Sequence, residues 1–281
     1  GAVMGSKKLK AVAVRGTKGA RIGVADKEGL KAVQKSYSEQ IKKSGFLSGL
    51  TAAGTGSAVS FLMSIGDCAT KNWAATGTDA MPTANNLDSA NMDVYKIKPY
   101  GCHSCPVRCG ALVKIDEGPY ASQDETHRPE YETLGALGAL CHNDSKESII
   151  RANEICNRYG IDTISVGTTI AFAIECYENG LIDTNDTGGL ELTWGNSAAV
   201  VALVEQMGRR EGFGAVLADG SKVAAERIGK GSEQYAMQVG GRELPVHDPR
   251  LAPAMGTFYV SDATPAQHCG PAQMQMLEQG A

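Results

Sequence analysis

The chain has no excess of basic charge. Its 27 Lys and Arg against 31 Asp and Glu leave a formal net charge of −4 over 281 residues, which excludes the electrostatic footprint of a nucleic-acid binder. No apolar run approaches the ~18 residues that a membrane helix needs, and no charged-then-apolar signal peptide opens the chain. Cysteine, at 8 residues, is too sparse for a secreted disulfide scaffold. A cytoplasmic protein with reduced thiols, and no membrane or nucleic-acid partner, is the default these absences leave. Residue 1 is Gly rather than Met, and Gly280-Ala281 carries no stop signal. The expectation is a piece of a longer polypeptide.

What is present is glycine, 34 residues, with 42% hydrophobic residues and only 6% aromatic ones. Such a composition suits close helix packing and backbone lying near a ligand. The length permits one large domain or two ordinary ones.

The most informative stretch is Gly101-Cys102-His103-Ser104-Cys105-Pro106-Val107-Arg108-Cys109-Gly110. Its C-x2-C-x3-C spacing brings three thiols together without long loop closure. The flanking glycines and Pro106 suit a tight irregular turn. Thiolate is the ligand of iron–sulfur clusters, so Cys102, Cys105 and Cys109 are candidate ligands of a 4Fe–4S cluster whose fourth ligand lies elsewhere. A zinc site with help from His103 is the competing reading, although neighbours in a tight turn seldom both reach one metal.

The rest of the chain reads mainly as helices. The periodicity predicts one over residues 25–44, capped by Asp26, with Leu30, Val33, Tyr37 and Ile41 on its apolar face. A second covers 143–159, where Asp144 and Glu147 form a capping-box pattern. A third starts at Asp162 and runs to Asn179-Gly180. Two more cover 196–210 and 214–228, the latter interrupted near Gly220. The alternation of Leu9, Ala11 and Ala13 predicts a short strand, and Val113-Lys114-Ile115 another. Helix following helix through short connectors indicates a helical domain rather than a βαβ array.

Several side chains have both a bland reading and a chemical one. Asp162 is either a plain N-cap or a ligand contact. Glu130 and Glu132 stand where a polar loop enters the apolar run Leu134–Leu140. They are either helix-start charges or carboxyls poised for proton transfer, since partial burial moves a carboxyl towards the useful range. His268, in a Ser/Thr/Pro-rich loop, is either a packed histidine or a group for proton transfer near neutral pH. Gly1, Gly5 and Ser6, with Lys7 or Lys8, form either a surface turn or a backbone cradle for phosphate.

Taken together, several segments resemble the tungsten-containing aldehyde:ferredoxin oxidoreductase family. They include Gly1-Ala-Val-Met-Gly-Ser-Lys-Lys-Leu-Lys-Ala11, the cysteine turn and Pro129-Glu-Tyr-Glu-Thr-Leu-Gly-Ala-Leu-Gly138. Further on come Cys156-Asn-Arg-Tyr-Gly-Ile-Asp-Thr-Ile-Ser165, Gly189-Leu-Glu-Leu-Thr-Trp-Gly-Asn196, Arg210-Glu-Gly-Phe-Gly214 and Glu243-Leu-Pro-Val-His-Asp-Pro-Arg250. The resemblance implies a mainly α fold. It divides the chain into the end of an N-terminal β domain (1–24), a helical domain carrying the cysteine turn (25–195) and the start of a second helical domain (196–281). It implies a tungsten or molybdenum bis-pterin beside a 4Fe–4S cluster bound by Cys102, Cys105 and Cys109. Asp162 would touch a pterin, with Gly1 and Lys7 near pterin phosphate. His268 would be the active-site histidine, and Glu130 or Glu132 the active-site glutamate.

The implied reaction is aldehyde oxidation to a carboxylic acid. The implied partners are a small aldehyde and a ferredoxin or other electron carrier, in a homodimer or a complex with electron-transfer subunits. Four things depart from the family pattern. Its fourth cluster cysteine and its second aspartate motif, for the other pterin, have no counterpart before Ala281, most of its N-terminal β domain is missing, and Pro265-Ala266-Gln267 stands where Arg-Gly commonly precedes the histidine. An iron–sulfur electron-transfer module without a pterin metal, or a non-catalytic helical fragment, is the alternative.

Overall fold

The computed structural model describes residues 2–17, 23–122 and 124–270. The chain opens with α1 (Ala2–Ser6). The strand expected at Leu9–Val14 does not form: residues 9–17 have no regular structure and are exposed. A strand exists only when a neighbour accepts its backbone hydrogen bonds, and none among the described residues pairs with it.

Helix α2 (Lys27–Lys43) forms as its periodicity predicts, with the Asp26 carboxylate accepting from the Gly29 N–H at 2.9 Å. Its apolar face is nevertheless open. Leu30, Val33 and Tyr37 are all exposed, and no residue of the helix is buried. Helices α3 (Gly45–Ala53) and α4 (Val59–Ser64) follow, with a 3₁₀ turn at Thr55–Ala58 between them. Among the described residues no single helix is long and apolar enough to cross a membrane.

A small hairpin, β1 (Ala69–Thr70) with β2 (Ala75–Thr76), precedes two 3₁₀ turns. The cysteine turn then sits at the end of another hairpin, β3 (Lys96–Tyr100) with β4 (Gly110–Val113). The pairing of Tyr100 with Gly110 closes it. Gly110 is required there, because a Cβ would lie 2.5 Å from the Tyr100 ring. This strand starts three residues before the predicted Val113-Lys114-Ile115. β5 (Thr126–His127) completes an antiparallel sheet of order β3-β4-β5.

The core gathers around the run Leu134–Leu140. A short α5 (Tyr131–Leu134) passes into a π turn over Gly135–Ala139, all of it buried. Against it lies α7 (Thr163–Glu178), in which Val166 to Ile174 are buried without a break. Glycine permits the approach, since a Cβ on Gly167 would stand 2.5 Å from the Ala136 carbonyl carbon, and one on Gly135 would stand 2.8 Å from Val246 Cβ.

Between these two, α6 (Lys146–Tyr159) is capped one residue later than predicted. Ser145, not Asp144, accepts from the Ser148 N–H at 3.3 Å. Asn143 causes the shift, because its side-chain oxygen takes the Ser145 N–H at 3.1 Å. The predicted helices at 196–210 and 214–228 appear as α8 (Ser197–Arg209), then α9 (Gly214–Leu217) and α10 (Ser221–Ile228), broken at Gly220. A last hairpin, β6 (Gln238–Val239) with β7 (Arg242–Glu243), leads through an extended stretch to α11 (Pro253–Ser261), which starts on a proline. The architecture is mainly helical, as the sequence predicts.

Candidate functional site

Two structures stand side by side: the cysteine turn and a cleft lined by carboxylates and imidazoles. The turn is shaped by two non-glycine residues with left-handed backbone, Ser104 (φ 59) and Arg108 (φ 53). Cys102 is exposed, and Cys105 and Cys109 are partly covered. The Arg108 and Val107 N–H groups point at the Cys105 sulfur and hold its pKa below the ordinary thiol value. Burial and the nearby charge of Glu130 push Cys109 up. Among the described residues no group of three or more His, Cys, Asp or Glu is close enough together to hold one metal ion. A cubane asks something different, one thiolate per iron. Three cysteines on one hairpin end, with backbone N–H groups aimed at sulfur, suit it.

Arg128 ties the turn to the cleft. Its buried guanidinium donates to the Cys109 carbonyl at 2.9 Å and faces Asp93 at 3.6 Å. Tyr100, at the base of the turn, hydrogen-bonds the His127 imidazole. Tyr100, His127 and Arg128 all line a cleft of about 670 Å³, together with Glu130, Glu132, Asp162 and His268.

Each predicted residue of this cleft is placed by a specific local feature. Asp162 caps α7, its carboxylate accepting from the Ser165 N–H at 2.8 Å. Glu130 is the residue before α5 and is hydrogen-bonded to the Thr55 hydroxyl, which also accepts from the Tyr131 N–H. Glu132 lies in the first turn of α5, with Oε2 accepting the Val246 N–H at 2.7 Å. His268 sits beyond α11 on a loop pinned by Ala266, which is buried and donates its N–H to the Tyr259 carbonyl at 3.0 Å. Lys7 is exposed in the turn after α1, and Gly1 lies outside the described residues.

Glu132 is the glutamate that meets the histidine. Its Oε1 lies 3.6 Å from His268 Nε2. It also lies 3.4 Å from Nε2 of a second imidazole, His247. Both separations are too long for a well-formed hydrogen bond, and Oε1 is buried without a hydrogen-bond partner. A carboxylate oxygen buried in that condition is costly, and here it belongs to a residue lining the cleft. Arg128 Nη1 is in the same condition.

His247 and its partner Asp67 were not singled out from the sequence as site residues. His247 Nδ1 is 2.6 Å from Asp67 Oδ2, and the Asp67 side chain is fully buried. Burial lowers the His247 pKa, but the Asp67 hydrogen bond and the charges of Glu132 and Asp67 outweigh it, leaving the imidazole above its usual value. The two residues are 180 positions apart, so no spacing could have joined them. The available signal was the polar pair His247-Asp248 between two prolines.

The chain was compared with known families and proteins. The family described as "Aldehyde ferredoxin oxidoreductase, domains 2 & 3" matches residues 32–281. A tungsten-containing aldehyde ferredoxin oxidoreductase from Pyrococcus abyssi is 39% identical over 267 residues, which are 93% of this chain and 42% of that protein. One of the same description from Pyrococcus furiosus is 36% identical over 265 residues, with the same coverage. The chain thus spans about two fifths of the length of these relatives. Among solved structures, the active site complex BamBC of benzoyl coenzyme A reductase, with 1,5-dienoyl-CoA, shares the fold. The TM-score is 0.74 at 23% identity, over 94% of this chain and 41% of that one. A family match over most of the chain, together with relatives of this identity, shows that the chain belongs to the aldehyde ferredoxin oxidoreductase family, in the part that forms its second and third domains.

Proposed function

We propose that this chain is part of an oxidoreductase that converts an aldehyde to a carboxylic acid and passes the electrons to a ferredoxin or similar carrier. Family membership supports the reaction class. The observation that carries the site is the buried Glu132 Oε1, without a hydrogen bond, facing His268 across the cleft that Asp162 borders. A tungsten or molybdenum bis-pterin, when bound, would supply two-electron acceptance and Lewis acidity. Asp162 would hold the pterin on the cleft side, with Gly1 and Lys7 towards its phosphate. Cys102, Cys105 and Cys109 would hold the 4Fe–4S cluster. In domain terms, residues 1–24 close an N-terminal domain, 25–195 carry the cysteine turn and the glutamates, and 196–281 begin the next domain and supply His268.

The chain's own residues handle protons and charge. Glu132, whose Oε1 makes no hydrogen bond, accepts a proton from water or from the hydrated aldehyde. His268 Nε2 donates a hydrogen bond to the substrate oxygen on which negative charge develops. Glu130 is held by Thr55 and keeps the cleft wall acidic without reaching His268.

The test uses the full-length protein, purified without oxygen. Iron together with tungsten or molybdenum, and aldehyde-dependent reduction of a viologen dye, are the expected results. Iron without either heavy metal would favour an electron-transfer module instead. His268→Asn and Glu132→Gln should each lower turnover by about 10²-fold or more with metal content intact, and Glu130→Gln should lower it less. Unchanged turnover in His268→Asn would remove that residue from the mechanism.

A further inference from the structure

His247 lies behind the Glu132–His268 pair with a carboxylate on each side. Asp67 Oδ2 meets Nδ1 at 2.6 Å and Glu132 Oε1 faces Nε2 at 3.4 Å. A neutral imidazole has one N–H and one acceptor nitrogen, whereas the imidazolium donates from both. A ring with a carboxylate at each nitrogen matches the doubly donating form. The ring is also fixed in place. Tyr131 packs on it with centroids 4.8 Å apart, and the Tyr259 hydroxyl donates to its carbonyl at 2.9 Å. The next residue's N–H reaches the Asp67 carbonyl at 2.8 Å, so the same backbone that carries His247 is bound to the residue that grips it. The preceding residue, Val246, donates its N–H to Glu132 Oε2. Thus residues 246–248 contact both Asp67 and Glu132.

We infer that His247, clamped by Asp67, is a positioning residue: its doubly protonated ring, with Nε2 facing Glu132, holds Oε1 turned towards His268 and the cleft. The inference rests on reading Glu132 and His268 as the proton-handling pair. His247 itself does not line the cleft among the described residues, so it acts through Glu132. The other titratable groups around it are His268, with ring centroids 5.8 Å apart, together with Tyr131, Tyr259 and Asp248 on its own stretch of chain. Cys68, fully buried beside Asp67 and Tyr131, has its thiol pushed up to about 12 by burial and so stays neutral.

In the full-length enzyme, His247→Gln, which keeps a hydrogen-bonding group but no charge, should lower kcat by about tenfold with KM little changed. Asp67→Asn should lower kcat in the same way by less. The second readout needs no turnover. Histidine ¹⁵N spectra of the full-length protein should show His247 with both ring nitrogens protonated at a pH where an ordinary imidazole, of pKa about 6.5, has lost one proton. Glu132→Gln should bring that titration down. A singly protonated His247 at pH 7.5, or a kcat unchanged in both His247→Gln and Asp67→Asn, would overturn the inference. Should the wild-type protein oxidise no aldehyde, the functional reading falls, and the spectra alone decide the state of His247.

Discussion

Helices α2 and α7 begin alike and end up in opposite environments. Each starts on an aspartate that accepts the N–H three residues on, at 2.9 Å for Asp26 and 2.8 Å for Asp162. Yet α2 buries nothing, while α7 is enclosed from Val166 to Ile174. Asp26 opens onto solvent, and Asp162 opens onto the cleft that Glu132 and His268 share. A cap is therefore a local signal: it says where a helix starts and nothing about what lies beyond its end. The difference comes from neighbours. The Leu134–Leu140 run and its glycines meet α7, whereas no described residue covers the Leu30, Val33 and Tyr37 face.

Substitutions paired across the two regions sharpen this contrast. The largest difference is expected between Phe172→Ala in α7 and Tyr37→Ala in α2. The first empties a fully buried site and should cost about 3–5 kcal/mol in chemical denaturation of the full-length protein. The second removes an exposed ring and should change stability by less than about 0.5 kcal/mol in the same experiment, unless a further domain covers that face. Equal losses would mean that the α2 face is buried in the whole protein. Next come the glycines. Gly167→Ala forces a Cβ against the Ala136 backbone and should destabilise by about 1–3 kcal/mol. Gly49→Ala in α3 meets nothing within 4 Å and should stabilise by about 0.4–1 kcal/mol. Smallest in stability is the pair of caps. Asp26→Ala and Asp162→Ala should each cost about 1 kcal/mol. Only Asp162→Ala should also reduce pterin and heavy-metal content on elemental analysis, and equal metal content in the two variants would reduce Asp162 to a cap.

Much of this was legible in sequence where the physics is local. The starts of α7 and α8, the break at Gly220 and the close-packed glycine run all follow from capping chemistry, from the backbone freedom of glycine, or from its missing side chain. The cysteine turn was legible as a turn because its three thiols lie within eight residues. Readings failed where an outcome depended on a partner elsewhere. Leu9–Val14 alternates like a strand but has no strand beside it. The α6 cap moved to Ser145 because Asn143 engages the Ser145 N–H. β4 starts at Gly110 because its register is set by Tyr100 across the hairpin.

The candidate site divides in the same way. Composition and motif pointed to Glu130, Glu132, Asp162 and His268 one at a time, without joining them or choosing between the two glutamates. Tertiary structure made the distinction between the glutamates. Glu130 turns to Thr55, two positions before Glu132 turns to His268, because successive residues at a helix start point in different directions. It also brought Asp67 and His247 together across 180 positions of the chain. Sequence by itself determined the helical class, the thiol turn and the kinds of side chain available, since those depend on propensities and short spacings. Folding alone decided which carboxylate faces which imidazole and which apolar face is covered, since both are set by contacts between residues far apart in the chain.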